Sequence, residues 1–234
     1  SVPMIETGSL AKVSTSILWN SKKHMYICFQ TTHTMKKTFL TLMLLPLLAF
    51  AQKAEFIELG SKAPFMDQAL RSTADDNISL SSQMSENGLL VMFTSNTCPF
   101  VVMWEDRYKL VEALCKENNI GMVYINSNYK KRDGADSYEK MQQHAARMEY
   151  SAPYLYDEKS KLANAFKAKT TPHVFLLNNN HEVVYMGAID DSYRSIDKVK
   201  HFYASDAITQ LSAGEKIKKP STKPVGCSIK RYNP

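Results

Sequence analysis

The sequence predicts an α/β domain with a central mixed β-sheet flanked by helices on both faces. Strand-like and helix-like patterns alternate over residues 89–167, and a hairpin followed by one more helix occupies residues 174–213. Alternation is typical of parallel strands joined by helices, and a hairpin adds antiparallel strands to the same sheet. Residues 52–234 are long enough for one domain with a full hydrophobic core.

The first half of this pattern is strand, helix, strand. Leu89–Thr94 is a short apolar run of the kind that lies in the middle of a sheet and is buried on both faces. Pro99–Asn118 has helical periodicity, and Ile120–Asn126 is a second apolar strand. The apolar side chains of the helix fall on one stripe, which consists of Val101, Trp104, Tyr108, Val111 and Cys115.

The second half contains shorter elements. Before the first strand, residues 56–88 are predicted to be extended, with turns at Asp75-Asp76-Asn77. After the second strand we expect, in order, a helix over Asp136–Glu149 capped near Asp136 or Ser137, an extended Pro153–Asp157, a helix over Glu158–Lys167, a hairpin of Val174–Leu177 and Glu182–Met186, and a helix over Asp206–Ala213 that Gly214 ends.

The N-terminal residues have the pattern of a signal peptide. Lys36 and Lys37 precede an apolar stretch over 39–50, and Ala49-Phe50-Ala51 forms a small-x-small cleavage site. The chain is therefore divided into an upstream or leader segment, 1–34, predicted to be disordered; a signal peptide, 35–51; the domain, 52–215; and a C-terminal tail, 216–234. We expect an exported protein, periplasmic or extracellular, without stable membrane insertion after cleavage.

The charge balance of the exported part argues against nucleic acid as a partner. The whole chain has 29 Lys and Arg against 23 Asp and Glu, and 24 against 22 remain after residue 51. A net charge this small supplies no electrostatic attraction to a polyanion. The tail lysines Lys216, Lys218, Lys219 and Lys223 are interpreted as a solvated linker.

Cys98 is the main candidate for a reactive group. It follows the first strand and a short polar turn, and with Pro99 it begins the long helix. The free N–H groups and the dipole of a helix N-terminus stabilise a thiolate, which is the nucleophilic form of cysteine. The alternative is a buried, inert thiol.

Three segments carry a resemblance to a known family. They are Phe93–Val101, which contains Cys98-Pro99-Phe100-Val101; Thr170-Thr171-Pro172-His173-Val174; and Gly226-Cys227-Ser228-Ile229-Lys230. In this order they resemble the thioredoxin-like superfamily, and within it the peroxiredoxin-like branch of the alkyl hydroperoxide reductase/thiol-specific antioxidant (redoxin) group. The resemblance implies a thioredoxin-like fold, thiol chemistry without a cofactor, and a cis peptide bond at Pro172 beside Cys98. Pro99, Thr171 and Pro172 would position the substrate.

The sequence departs from the patterns of that superfamily at three places. Val101 stands where thioredoxins have their second cysteine, and Ser95 stands where peroxiredoxins have a threonine. The peroxide-binding arginine of peroxiredoxins has no assignable counterpart, and Arg107, Arg147 and Arg194 are the candidates.

Disulfide exchange requires a second, resolving thiol. Cys115 lies 17 residues along the same predicted helix, about 26 Å from Cys98, whereas disulfide Cα atoms lie within about 7 Å. Cys115 is therefore predicted to be a core residue. Cys227 follows a polar segment with two prolines that is long enough to loop back. It is either the resolving thiol or a free thiol on the tail.

Metal binding has little support, because the histidines show no ligand spacing. His173 could place its imidazole near Cys98 or be a side chain at a strand edge. Asp190-Asp191 could be a carboxylate pair for acid–base chemistry, and its position after a strand favours a turn or a helix cap.

These observations predict an exported thiol–disulfide oxidoreductase in which Cys98 is the nucleophile and Cys227 the resolving thiol. Its partners would be a protein or small-molecule disulfide or thiol, and a thiol reductant. One alternative is a peroxidase that uses Cys98 alone on a peroxide and is reduced by an external thiol. Another is a thioredoxin-like binding domain without catalysis.

Overall fold

The computed structural model describes residues 57–233. The predictions of an upstream segment and a signal peptide over 1–51 lie outside the described residues. Within residues 57–233, no helix combines the length and apolar character needed to cross a bilayer.

The described residues form nine strands and four α-helices. In chain order they are β1 (Leu70–Arg71), β2 (Asn77–Ile78), β3 (Gly88–Thr94), α1 (Pro99–Glu117), β4 (Ile120–Asn126), α2 (Tyr138–Met148), β5 (Tyr154–Tyr156), α3 (Lys161–Ala165), β6 (Thr170–Thr171), β7 (His173–Leu177), β8 (Val183–Gly187), α4 (Tyr203–Ser212) and β9 (Cys227–Ser228).

The central sheet is mixed, as the sequence predicts. Its strand order is β5-β4-β3-β7-β8. β3, β4 and β5 are parallel, and β7 and β8 are antiparallel to their neighbours. The helix-linked strands therefore supply the parallel half of the sheet, and the predicted hairpin supplies the antiparallel half.

Helices cover both faces of this sheet. One face packs against α1, α2 and α4 through Trp104, Met141 and Ile208. The opposite face packs against α3 and residues 57–80. Alternate side chains of β3 pack into the two core layers, because successive side chains of a strand point to opposite faces. β3 is buried along its whole length, as its apolar run predicts.

Three predicted elements differ in detail from the structure. The helix expected over Glu158–Lys167 reduces to a 3-10 turn and α3, because the Asp157 carboxylate accepts the N–H groups of Leu162 and Ala163 and sets the helix start there. α4 begins at Tyr203, one turn before the predicted Asp206, without a side-chain cap. The turn predicted at 75–77 belongs to a small β1–β2 hairpin.

The tail is packed on the domain rather than loose. Its four lysines are exposed, as expected of solvated side chains, but Ile217 and Ile229 are buried. Thr222 Oγ1 accepts the N–H of Ala188 at 2.9 Å, and the Thr222 N–H donates to the Met186 carbonyl at 3.0 Å. The four lysine side chains are therefore solvated, as interpreted from the sequence, but the main chain of residues 220–222 runs along the edge of β8 and is not a free linker.

Candidate active site

Cys98 lies at the junction of β3 and α1, where the sequence predicts it. It is the N-cap residue of α1, with φ −69° and ψ 124°, and Pro99 is the first helical residue. Proline fits there because the first helical residues have no intrahelical acceptor for an N–H group. Cys98 is 4 % exposed. The junction therefore holds the thiol at the helix N-terminus just below the surface.

The peptide bond between Thr171 and Pro172 is cis, and it adjoins Cys98. The Cys98 thiol donates a 3.2 Å hydrogen bond to the Thr171 carbonyl. The Thr171 hydroxyl lies 3.4 Å from the Ser95 hydroxyl. The predicted positioning residues Pro99, Thr171 and Pro172 therefore surround Cys98.

Cys227 reaches the same place from the other end of the chain. β9 pairs antiparallel with β6, so that Cys227 faces Thr171 and Ser228 faces Thr170. The Cys227 side chain is half-buried and packs on the core cluster that includes Cys98. Burial and the interaction with Cys98 raise the pKa of Cys227, and Phe100 and Lys230 oppose this rise. Both cysteines are free thiols.

Gly226 is required by this arrangement. A Cβ atom built on Gly226 would lie 2.3 Å from the Thr171 carbonyl oxygen and 3.2 Å from the Pro172 nitrogen. The first of these distances is far below van der Waals contact, so any other residue would push the tail away from the cis-proline turn. Only glycine lets the main chain approach this closely and bring Cys227 opposite Thr171.

A buried polar network supports the turn before Cys98, and it is not among the features predicted from the sequence. The Asp136 carboxylate accepts the Asn96 N–H at 2.9 Å, the Asn126 amide at 2.8 Å and the Asn128 amide at 3.1 Å. The sequence predicts a cap of α2 at Asp136 or Ser137, and the structure shows that Ser137 is the cap. A signal was present in the row of polar residues 126–128 after an apolar strand, where buried side chains must find hydrogen-bond partners.

The three candidate arginines are engaged elsewhere. Arg107 is buried, and its Nε lies 3.2 Å from the Asp190 carboxylate. Arg147 pairs with Glu105 at 3.7 Å, and Arg194 lies over the ring of Tyr193. None of these contacts directs a guanidinium to the Cys98 thiol.

His173 does not approach Cys98, so that hypothesis is wrong. Its Nδ1 accepts the Lys169 N–H at 3.1 Å, and its ring packs on Phe175 at a centroid distance of 4.4 Å. Phe175 belongs to the core layer on the sheet face opposite to that of Cys98. Burial, with a contribution from Lys169, lowers the pKa of His173 to about 3.

Asp190, Asp191 and Cys115 have structural roles: the aspartates accept hydrogen bonds and Cys115 packs in the core. Asp190 is buried and accepts the Trp104 indole N–H at 2.9 Å and the Ser192 N–H at 2.8 Å. Asp191 is exposed and accepts the Lys200 N–H. Cys115 is buried in the core, as predicted, and burial together with Glu112 raises its pKa to about 12.

The comparisons with known proteins agree with this geometry. The Redoxin family model matches residues 58–202. An uncharacterised conserved protein of Geobacillus kaustophilus has a similar structure, with a TM-score of 0.68 and 29 % identity over 77 % of this chain and 95 % of that one. No curated protein matches.

Two further solved structures are similar. A hypothetical protein of Sinorhizobium meliloti has a TM-score of 0.67 at 27 % identity, over 77 % of this chain and 98 % of that one. Peroxidoxin BcpB of Mycobacterium tuberculosis has a TM-score of 0.52 at 16 % identity, over 67 % and 97 %, a similarity that concerns the fold alone. The family match covers more than half of the chain, which is therefore a member of the redoxin family with a thioredoxin-like fold.

Proposed function

We propose that this redoxin is a thiol–disulfide oxidoreductase in which Cys98 is the nucleophile and Cys227 the resolving thiol. The observation that carries the proposal is that both cysteines meet at Thr171: the Cys98 thiol donates to its carbonyl, and the β6–β9 pairing sets Cys227 opposite it. Val101 excludes a second thiol within the helix turn itself. Cys227 in the tail supplies the second thiol that the helix turn lacks.

The reaction consists of two thiol–disulfide exchanges. The Cys98 thiolate attacks one sulfur of a partner disulfide, a Cys98–partner disulfide forms, and the second partner sulfur leaves as a thiolate that takes up a proton. The Cys227 thiolate then attacks Cys98 Sγ. The Cys98–Cys227 disulfide forms, and the first partner sulfur leaves. The partner gains two electrons, the cysteine pair loses two, and an external thiol reductant restores the pair.

The test compares three variants under turnover with a disulfide substrate and a dithiol reductant. We expect Cys98→Ser to be inactive and Cys227→Ser to accumulate a Cys98–substrate disulfide that mass spectrometry detects. Cys115→Ala should keep activity, because that thiol lies in the core. If Cys227→Ser turns over as fast as the unmodified protein, an outside thiol resolves the mixed disulfide and the proposed role of Cys227 is wrong.

A peroxidase is the second candidate, favoured by the near-complete burial of Cys98, which admits a small oxidant more readily than a protein. Cys98 would attack a hydroperoxide, giving a sulfenic acid and an alcohol. One thiol would condense with the sulfenic acid to a mixed disulfide with loss of water, and a second thiol would reduce that disulfide to restore Cys98. Consumption of hydrogen peroxide in the presence of a thiol reductant distinguishes this activity from disulfide exchange. A domain without catalysis would show neither.

Export is part of the proposal. It is supported by the signal-peptide pattern of residues 35–51 and by the persistence of disulfides in oxidising compartments. N-terminal sequencing of secreted or periplasmic material should give a chain that begins at Gln52. Detection of any of residues 1–34 in this exported material would contradict the proposal.

A further inference from the structure

The C-terminal residues Gly226–Ser228, here called the tail strand, pair with the short strand Thr170–Thr171, here called the cis-proline edge. Among the described strands, the tail strand is the only partner of this edge. Without the tail strand, the peptide groups of Thr170 and Thr171 would be free to pair with another extended chain. An unpaired edge of this kind is a docking site for extended polypeptides.

The tail strand also stands between Cys98 and a large partner. Cys98 is almost completely buried, and its thiol points to the Thr171 carbonyl at 3.2 Å. Cys227 packs on the core cluster that contains Cys98 and faces Thr171. A cysteine of a partner polypeptide can approach Cys98 along this edge only by taking the place of Cys227.

The packing around the tail allows such a replacement. A cavity of about 450 Å³ lies on one side of the tail and includes Val225 in its lining. A second cavity of about 200 Å³ includes Pro224. Ser221 and Thr222 line both. Thr222 is anchored by its bonds to Met186 and Ala188, but open space borders residues 223–225, so the tail strand can lift from the edge by a local opening beyond Thr222.

The close approach at Gly226 sets a sequence requirement. In the observed register the residue that faces Thr171 is a cysteine, and the residue before it can have no Cβ, since that atom would lie 2.3 Å from the Thr171 carbonyl oxygen. We propose that the tail strand is an internal copy of the substrate strand: the partner is a polypeptide disulfide whose reacting cysteine is directly preceded by glycine. It displaces the tail and pairs with Thr170–Thr171.

This inference rests on the proposed function and adds an order of events to it. The partner strand replaces the tail strand, and Cys98 forms the mixed disulfide with the partner cysteine as its leaving thiolate departs. The tail strand then competes for the same edge. Its return brings Cys227 to Cys98 Sγ, and the partner leaves as a thiol.

The experiment uses two pentapeptides, valine-glycine-cysteine-serine-isoleucine and the same peptide with alanine for glycine, each as a mixed disulfide with thionitrobenzoate. Attack by Cys98 on the peptide sulfur releases coloured thionitrobenzoate, which measures the first exchange in full-length protein carrying Cys227→Ser. Gly226→Ala in the same background weakens the tail strand. Gly134→Ala is the matched control, because its Cβ would meet only the Lys131 carbonyl oxygen at 3.9 Å.

We expect the glycine peptide to react about tenfold faster than the alanine peptide, the order of magnitude of an overpacked contact. Gly226→Ala should speed the glycine peptide by a similar factor, and Gly134→Ala should not. Dithiobis-nitrobenzoate does not pair with a strand edge, so its rate reports the exposure of Cys98 in each protein, and the glycine-to-alanine peptide ratio is compared within one protein. Equal rates for the two peptides would overturn the inference and leave the proposed function standing. Lack of reaction with every disulfide would refute the proposed function itself.

Discussion

The Lys230 main-chain N–H donates a 2.9 Å hydrogen bond to Asn128 Oδ1, and this bond joins the tail to the support of the Cys98 turn. The Asn128 amide donates to Asp136, and the same carboxylate accepts the Asn96 N–H two residues before Cys98. One buried carboxylate therefore positions the turn that carries Cys98 and the loop on which the tail docks. A shift at either end changes the distance between the two thiols.

Replacing Asn128 should separate the thiols. Asn128→Ala removes the acceptor for the Lys230 N–H and a donor to buried Asp136, and an unsatisfied buried group costs about 1–3 kcal/mol. We expect the Cys98–Cys227 disulfide to become easier to reduce, which equilibration with glutathione measures. Lys131→Ala is the control, because the bonds of Lys131 to Asn128, Gly134 and Asp136 use its main chain, which the substitution keeps. Equal disulfide stability in the two variants would contradict this role of Asn128.

The central elements could be predicted because their patterns are long and local. β3, α1 and β4 each carry a continuous apolar run or stripe, and the structure places them within one or two residues of the predicted bounds. The cis bond at Pro172 followed from the resemblance and is present.

The pairing of β6 with β9 could not be predicted in the same way. It comprises two residues on each strand and depends on the approach of Gly226 to Thr171, which lies 55 positions earlier in the chain. No local pattern encodes a contact of that range. The position of His173 was available from the sequence, because a side chain two residues from Phe175 in a strand must lie on the same face.

His173 should make the domain sensitive to acid. Its pKa is about 3 in the folded state and about 6.5 in an unfolded chain. Above pH 6.5 the ring is neutral in both states. As the pH falls towards 3, only the unfolded chain binds the proton, so stability is lost, at up to about 1.4 kcal/mol per pH unit.

Urea unfolding between pH 7 and pH 4 measures this loss. His173→Asn keeps an acceptor without a titrating ring, and we expect a shallower loss of unfolding free energy with falling pH than in the unmodified protein. The comparison concerns the slopes, because the variant also loses ring packing on Phe175. Parallel slopes would show that His173 takes up its proton equally in both states.

Asp190 should be far more important to stability than its neighbour. Asp190→Asn leaves the buried Arg107 guanidinium without its buried counter-charge and weakens the bond from Trp104. Breaking a buried ion pair from one side costs about 3–5 kcal/mol. The exposed Asp191→Asn should change the free energy of unfolding by about 0.5 kcal/mol or less. Similar urea midpoints for the two variants would show that Asp106, which also contacts Arg107, suffices as its partner.

A cysteine at position 101 should replace the function of Cys227. Val101 is fully buried in the first turn of α1, three residues after Cys98. Val101→Cys, made together with Cys227→Ser, would put a second thiol in the helix turn at the spacing of thioredoxins. The loss of a methyl group from the core should cost about 1 kcal/mol, which a domain of this size tolerates. We expect this double variant to regain turnover of a disulfide substrate with a dithiol reductant, and the mixed disulfide trapped by Cys227→Ser alone to disappear.

Val101→Ala with Cys227→Ser is the matched control, since it removes the same apolar contacts without supplying a sulfur. If both double variants remain trapped, a resolving thiol must approach along the cis-proline edge as Cys227 does, and the tail is needed for its position as well as for its sulfur.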